Sequence, residues 1–258
     1  MTWRYIAARL NGDGTETIVH PEVPLGDDTT IKFSNNAPTE LSGSISPEIL
    51  DLVDDTGRPL IERWASAIYA EADGEIRGGG IVVDDGVEEG TLKLDCMGFA
   101  GYPNGQPYTE ANSWPPNPYP VNGIEPTDLI REVWRHLQAQ IRGNLNVNID
   151  SLRTGLLVGK MVAEGTFDTE NGPLSFEYTP LMLRWFETFD LGDAVSNIVE
   201  NTPLDFWEEH SWNENRTQVE HFIRLAYPRR GARRQDHKFT VNENIESVIL
   251  EISDQEYV

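Results

Sequence analysis

Residues 60–95 read L-I-E-R-W-A-S-A-I-Y-A-E-A-D-G-E-I-R-G-G-G-I-V-V-D-D-G-V-E-E-G-T-L-K-L-D. Apolar and polar residues alternate on both sides of the turn Ala72-Asp73-Gly74. Trp64, Ser66, Ile68 and Ala70 fall on one face, and Ala65, Ala67, Tyr69 and Glu71 on the other. Side chains of a strand point alternately up and down, so a period of two is a strand signal. Ile81, Val82 and Val83 follow three glycines, and Asp85-Gly86 then separates them from a third run at 91–94. Asp-Gly between such runs is hairpin chemistry. Glycines inside a strand let it bend or let another backbone come close. The block is therefore expected to be an antiparallel meander in a closed or strongly curved sheet. It carries no catalytic signature.

The flanks extend this pattern. Residues 3–10, 16–20 and 30–33 are strand candidates, and Asn11-Gly12-Asp13-Gly14 is a hairpin turn between the first two. Ser46-Pro47-Glu48 opens a short helix, with serine at the N-cap, proline at N1 and Ile49, Leu50, Leu52 and Val53 as its apolar side. Residues 101–123 are rich in Pro, Asn, Gly and aromatics, the composition of an extended loop. A loop of that length in a compact protein usually contacts something. Its rings Tyr102, Tyr108, Trp114 and Tyr119 could form a sugar-stacking surface or pack the loop onto its own body.

A helix is expected over 126–140, with Leu129, Ile130, Val133, Trp134 and Leu137 in one stripe. A short strand follows at 146–149, a turn at 168–172 and a strand at 181–188. Asp190 caps a second helix carrying Leu191, Ala194, Val195, Ile198 and Val199, which stops before Pro203. Strands return at 205–212 and 218–227, then at 237–241 and 245–252. The order β, α+β, β predicts a mainly β fold with an α+β insertion. Residues 1–100 and 204–258 would share a β-barrel, 101–123 would form the Pro/aromatic loop, and 124–203 the insertion. A strand close to residue 258 leads us to expect a longer polypeptide.

Composition narrows the function. The 258 residues include 43 acidic and 20 basic ones, a net charge of −23. Binding nucleic acid needs basic tracks. The one basic run is Arg229-Arg230-Gly231-Ala232-Arg233-Arg234, which could grip phosphate or pair with carboxylates of a neighbouring subunit; an acidic chain favours the second. The acidity itself serves solubility, or makes a surface that must not hold nucleic acid. No run reaches about 18 apolar residues, the length of a membrane span. The N-terminus reads as lacking a signal peptide. The single cysteine, Cys96, excludes an internal disulfide and reads as a small buried hydrophobe.

Catalytic motifs are absent: no H-E-x-x-H, no G-x-S-x-G, no P-loop and no dinucleotide fingerprint. Gly78-Gly79-Gly80 precedes a strand, whereas a phosphate loop precedes a helix. His210 and His221 fall on paired strands near Glu208 and Glu209, but one spaced pair is weak evidence for a metal. Glu208, Glu209 and Glu177 invite a glycosidase reading. Adjacent strand residues point to opposite faces, so Glu208 and Glu209 cannot converge. Residues 168–172 lack the oxygen spacing of a calcium loop. The expectation is no enzyme: no catalytic, cofactor-binding or metal residues, and no cofactor.

Several stretches resemble one family. They are L-S-G-S-I-S-P-E-I (41–49), G-R-P-L-I-E-R-W-A-S-A-I-Y-A-E-A-D-G-E-I-R-G-G-G-I-V (57–82), C-M-G-F-A-G-Y (96–102), D-L-I-R-E-V-W-R-H-L-Q (128–138), L-R-W-F-E-T (183–188) and F-I-R-L-A-Y-P-R-R-G-A-R-R (222–234). Together, in collinear order, they resemble the minor tail proteins of long, non-contractile-tailed phages of actinobacteria, in particular the tail-tip or baseplate hub proteins. The resemblance implies a tail-tube-like β-barrel hub domain and a threefold ring closing the distal tail tube. It implies a virion component at the distal end of the tail, assembled in the host cytoplasm. Its partners would be further copies in a trimer, the distal tail protein, the tape-measure protein and tip or fibre proteins, with DNA only in transit and no membrane insertion. Candidate inter-subunit contacts are Arg229, Arg230, Arg233, Arg234, Tyr102, Tyr108, Trp114 and Tyr119. Candidate channel-facing carboxylates are Asp54, Asp55, Asp84, Asp85, Glu88 and Glu89. The alternative is a tail-tip module that binds or degrades cell-wall glycan.

Overall fold

A computed structural model describes residues 3–54, 56–88, 91–160, 166–169, 172–175 and 181–228. The described chain is mainly β with two α-helices. Its largest element is a seven-stranded antiparallel sheet in the order β2-β1-β5-β6-β7-β4-β3. The strands are β1 Trp3–Leu10, β2 Glu16–His20, β3 Thr30–Lys32, β4 Glu40–Ile45, β5 Ser66–Ala72, β6 Glu75–Glu88 and β7 Thr91–Met97. Helix α1 spans Pro126–Gln138 and α2 spans Leu191–Glu200. Strand β8, Val147–Ile149, lies parallel to β12, Val219–Ala226, which pairs antiparallel with β11, Asp205–Trp212. Strands β9, Thr166–Thr169, and β10, Gly172–Ser175, make a two-stranded ribbon.

The turn at 73–74 is as expected. Asp73 and Gly74 hold φ of 53° and 84°, and Ala72 pairs with Glu75 across them. Positive φ at both central residues matches the strand twist. The predicted break at Asp85-Gly86 is not there. Strand β6 runs through it, because one extra residue, Val83, is absorbed as a bulge between the pairs Val82↔Cys96 and Asp84↔Asp95. The helix at 47–51 is a 3-10 turn whose Ser46 makes no side-chain cap. Residues 181–188 contribute one isolated bridge, Trp114↔Leu183, in place of a strand.

The barrel expectation is corrected for the described residues: the sheet is open, with β2 and β3 as its outer strands. The strand candidates at 237–241 and 245–252 lie outside the described residues. Strands β11 and β12 join β8 in a separate three-stranded sheet.

Both faces of the large sheet are covered. All seven residues of β5 are buried. Ile68, Ala70, Val82, Leu92, Leu94 and Cys96 pack on one side with Ile49, Leu60 and Ile61. Burial pushes the Cys96 thiol up, so it is an inert hydrophobe, as its neighbours implied. Ile6, Ala67, Tyr69 and Ile81 share the opposite core with Leu129, Val133 and Trp134 of α1 and Phe206 and Ile223 of the small sheet. The Asp190 carboxylate caps α2 by accepting from the Gly192 and Asp193 amides. Among the described residues no helix is long and apolar enough to cross a membrane, which concerns helices and not strands.

Candidate functional site

Polar side chains gather where the two sheets meet. His210 and His221 are directly opposed across β11 and β12, and opposed residues project from the same face. Their Nδ1 atoms lie 3.0 Å apart. His221 Nε2 sits 2.6 Å from Glu16 Oε1, which also accepts from the Tyr69 hydroxyl at 2.6 Å. The side chains of Glu16, His210 and His221 are 6 %, 2 % and 1 % exposed. Phe99 stacks on the His221 ring at 3.8 Å between centroids.

A neutral His221 that donates to the Glu16 carboxylate sets the tautomers. His221 Nε2–H donates to Glu16, so its Nδ1 accepts from His210 Nδ1–H. His210 Nε2 then carries a lone pair, and it is buried without a hydrogen bond, 3.7 Å from Glu208 Oε2. Glu208 in turn accepts from the amides of Thr39 and Ala100. On the other face of β11, Glu209 accepts from Arg224 Nε at 2.7 Å. The two glutamates diverge, as their adjacency required.

A cleft of about 740 Å3 reaches this cluster, lined by Thr39, Glu75, Arg77, Trp207, Glu208 and His210 among others. Of the acids lining this cleft, Glu208 lies beside the His210 lone pair, while Glu75 and Glu209 pair with Arg77 and Arg224. Among the described residues no group of three or more His, Cys, Asp or Glu is placed to hold one. Burial, then the neighbouring His221, holds His210 well below its ordinary 6.5. Burial pushes Glu208 above its ordinary 4.5. Both shifts favour neutral side chains.

The shifts set opposite pH dependences. The unfolded chain protonates His210 near 6.5 while the folded chain resists, so stability present above pH 6.5 is lost as pH falls below it. Folded Glu208 keeps its proton where the unfolded chain has lost it, so its contribution fades as pH rises through the folded value. His210→Phe should therefore flatten the fall in urea midpoint between about pH 7 and 5.5. An unchanged slope would remove His210 as its source.

The Pro/aromatic loop turns its rings inward. Tyr108 is 1 % exposed and packs on the His136 ring at 4.5 Å. Tyr119 is buried; its hydroxyl donates to the Gly159 carbonyl and accepts from the Leu181 amide. Tyr102 stacks on Trp134. Trp114 joins Leu183 through paired backbone bonds of 3.0 and 2.8 Å. Tyr108 and Tyr119 are thus committed to their own chain, and the exposed aromatics nearby are Trp185, Phe186 and Phe189.

Three carboxylates of the acidic turns share two arginines. Asp54 accepts from the Thr56 hydroxyl, Arg9 and the Arg58 amide, which hold its carboxyl far below the usual range. Asp84 and Asp85 both pair with Arg63. The backbone of Glu88 pairs with Thr91. Asp55, Glu89, Arg229, Arg230, Arg233, Arg234 and Glu177 lie outside the described residues.

No family model matches the chain, and no curated protein matches it. Solved structures are similar to it at low scores. Prophage tail protein gp18 from Listeria monocytogenes is similar at a TM-score of 0.41 and 9 % identity, over 86 % of this chain and 50 % of that one. The E. coli c3393 protein is described as a component of the type VI secretion system, with structural similarity to T4 bacteriophage tail proteins gp27 and gp5. It gives 0.37 and 7 %, over 77 % and 47 %. The 43 kDa tail protein of prophage MuSo2 from Shewanella oneidensis gives 0.30 and 10 %, over 86 % and 49 %. The chain spans about half the length of the solved chains it matches.

Sequence reasoning noticed the two histidines with Glu208 nearby, but not Glu16 and Tyr69. Glu16 was hidden as the first residue of β2. It shares a face with Ile18, two residues on, and Ile18 packs against the core. That alternation was the available signal.

Proposed function

We propose that the chain is a structural, non-enzymatic component of a phage tail tip, forming a trimeric hub ring that closes the distal tail tube. The collinear resemblance of six stretches between residues 41 and 234 to tail-tip hub proteins carries this reading. The open sheet supports it physically. Outer strands present unpaired backbone groups that a neighbouring chain can complete, and head-to-tail contacts close a ring when the rotation permits. Among the described residues β2 and β3 are such strands. The polar cluster supports a structural role too, since each Glu208 oxygen is held by a backbone amide.

In this reading the ring meets a distal tail protein, a tape-measure protein and tip or fibre proteins, and DNA crosses it only in transit. A net charge of −23 repels that polymer, with a reach of about 8 Å at physiological salt. Asp54, Asp84 and Asp85 share two arginines, Arg9 and Arg63, so one of their three charges is left to such a wall, beside those of Asp55, Glu88 and Glu89. The residues 229–234 remain our choice for subunit contacts. Immunogold labelling of this chain on intact particles tests the assignment. Label confined to one tail end is expected; label along the tube or on the head would overturn it. Charge reversal at Arg230, Arg233 and Arg234 is expected to yield defective tails. Normal infectious tails would remove that segment from the interface.

A further inference from the structure

A second cleft, about 370 Å3, lies between the first hairpin and the turn after α1. Buried Ile81 and Leu145 line it, with Trp64, Tyr102, Arg58 and Arg142. Two of these residues have backbones that their side chains disfavour. Trp64 and Arg142 hold φ of 62° and 61°, in the left-handed region that glycine adopts freely and bulky residues avoid. Such conformations persist where the surrounding structure over-determines them. The Trp64 amide is tied to the Val82 carbonyl at 2.8 Å. The Arg142 backbone is pressed against Gly12, where an added Cβ would come within 2.5 Å of the Arg142 carbonyl oxygen.

The side chains so held are unusual in this molecule. Trp64 is 54 % exposed. Arg142 has no ion pair among the described residues, in a chain of 43 acidic and 20 basic residues where Arg9, Arg63, Arg135 and Arg224 are all paired. Arg58 has only a loose, exposed contact to Glu62 at 3.6 Å. A guanidinium presents a planar fork that matches a carboxylate. Indole and phenol rings offer flat apolar faces to a ligand with a flat apolar face of its own. The volume is at the small end of the usual range for ligand sites, roughly 300–1,000 Å3, which suits one or two sugar rings.

We propose that this cleft binds a carboxylate-bearing sugar of the uronic acid type, the carboxylate on Arg142 and the ring against Trp64 and Tyr102. An acidic peptide would satisfy the arginines but leave the aromatic walls without a rigid partner. The site stands or falls independently of the tail assignment.

Calorimetric titration with sodium D-glucuronate, D-glucose and tri-glutamate tests it. Saturable binding of glucuronate is expected, with glucose weaker by about tenfold or more, the usual cost of losing a charged hydrogen bond. Glycine removes each side chain while relieving its φ. Arg142→Gly should weaken glucuronate about tenfold or more and Trp64→Gly by roughly two- to tenfold, neither lowering the thermal midpoint. No saturable glucuronate binding would overturn the proposal. So would undiminished binding in Arg142→Gly, or tri-glutamate binding tighter than glucuronate, which would assign the cleft to a protein partner.

Discussion

Gly80→Ala is expected to destabilise the protein by about 3 kcal/mol or more, at or above the top of the usual range for overpacking. An alanine Cβ there would lie 2.6 Å from the Met97 carbonyl oxygen, 2.7 Å from its carbon and 3.0 Å from the Gly98 nitrogen. All three atoms are backbone, so no side chain can swing aside. The neighbouring pair Ile81↔Met97 fixes β6 against β7 at this point. Relief would require moving a central strand whose two faces serve both cores. Gly86→Ala, farther along the same strand, is the control. An added Cβ there meets nothing within 4 Å, so the change should stay within about 0.5 kcal/mol. Urea denaturation of both variants gives the comparison. Equal midpoints would show that the glycines at 78–80 are not demanded by close backbone approach. Since domains hold only about 5–15 kcal/mol in total, the first substitution should also lower soluble yield.

Local chemistry explains which parts of the fold were legible. The Asp73-Gly74 turn, the 3.6-residue stripe of α1 and the Asp190 cap depend on neighbours within a few residues, and each was read correctly. The triple glycine was read as a place of bending or of close backbone approach, and the contacts of Gly79 and Gly80 favour the second. The length of β6 was misread because Asp85-Gly86 has hairpin chemistry, while the Val83 bulge that carries the strand through it is set by the partner β7. The open sheet was beyond reach for the same reason, since closure depends on edges far apart in sequence. At the candidate sites, alternation separated Glu208 from Glu209 correctly. Nothing local revealed that Glu16 meets His221, 205 residues away. Trp64 was placed on a strand face by alternation, but the strand begins at Ser66 and Trp64 holds a left-handed backbone before it.

Glu16→Ala should loosen the small sheet from the large one, at a cost of about 2–6 kcal/mol for two buried donors left without their acceptor. Glu16 Oε1 is the acceptor for both the Tyr69 hydroxyl and His221 Nε2. Tyr69 is fully buried and His221 is 1 % exposed, so water does not readily replace the lost acceptor. Each buried donor left unmade costs about 1–3 kcal/mol. Glu16→Gln keeps an amide oxygen in the same place, so it should cost distinctly less than the alanine variant. The damage should also be local. Glu16 on β2 and Tyr69 on β5 belong to the large sheet, so the lost contact that joins the two sheets is the one to His221 on β12. Amide hydrogen exchange separates this from a general loss of stability. In Glu16→Ala, amides of β11 and β12 should exchange faster by a larger factor than those of β4 and β7, which the first core holds from the far side of the large sheet. Uniform acceleration across all four strands would mean that the cluster is no special fastening between the sheets. An alanine variant as stable as Glu16→Gln would mean that the shared acceptor contributes nothing beyond its packing.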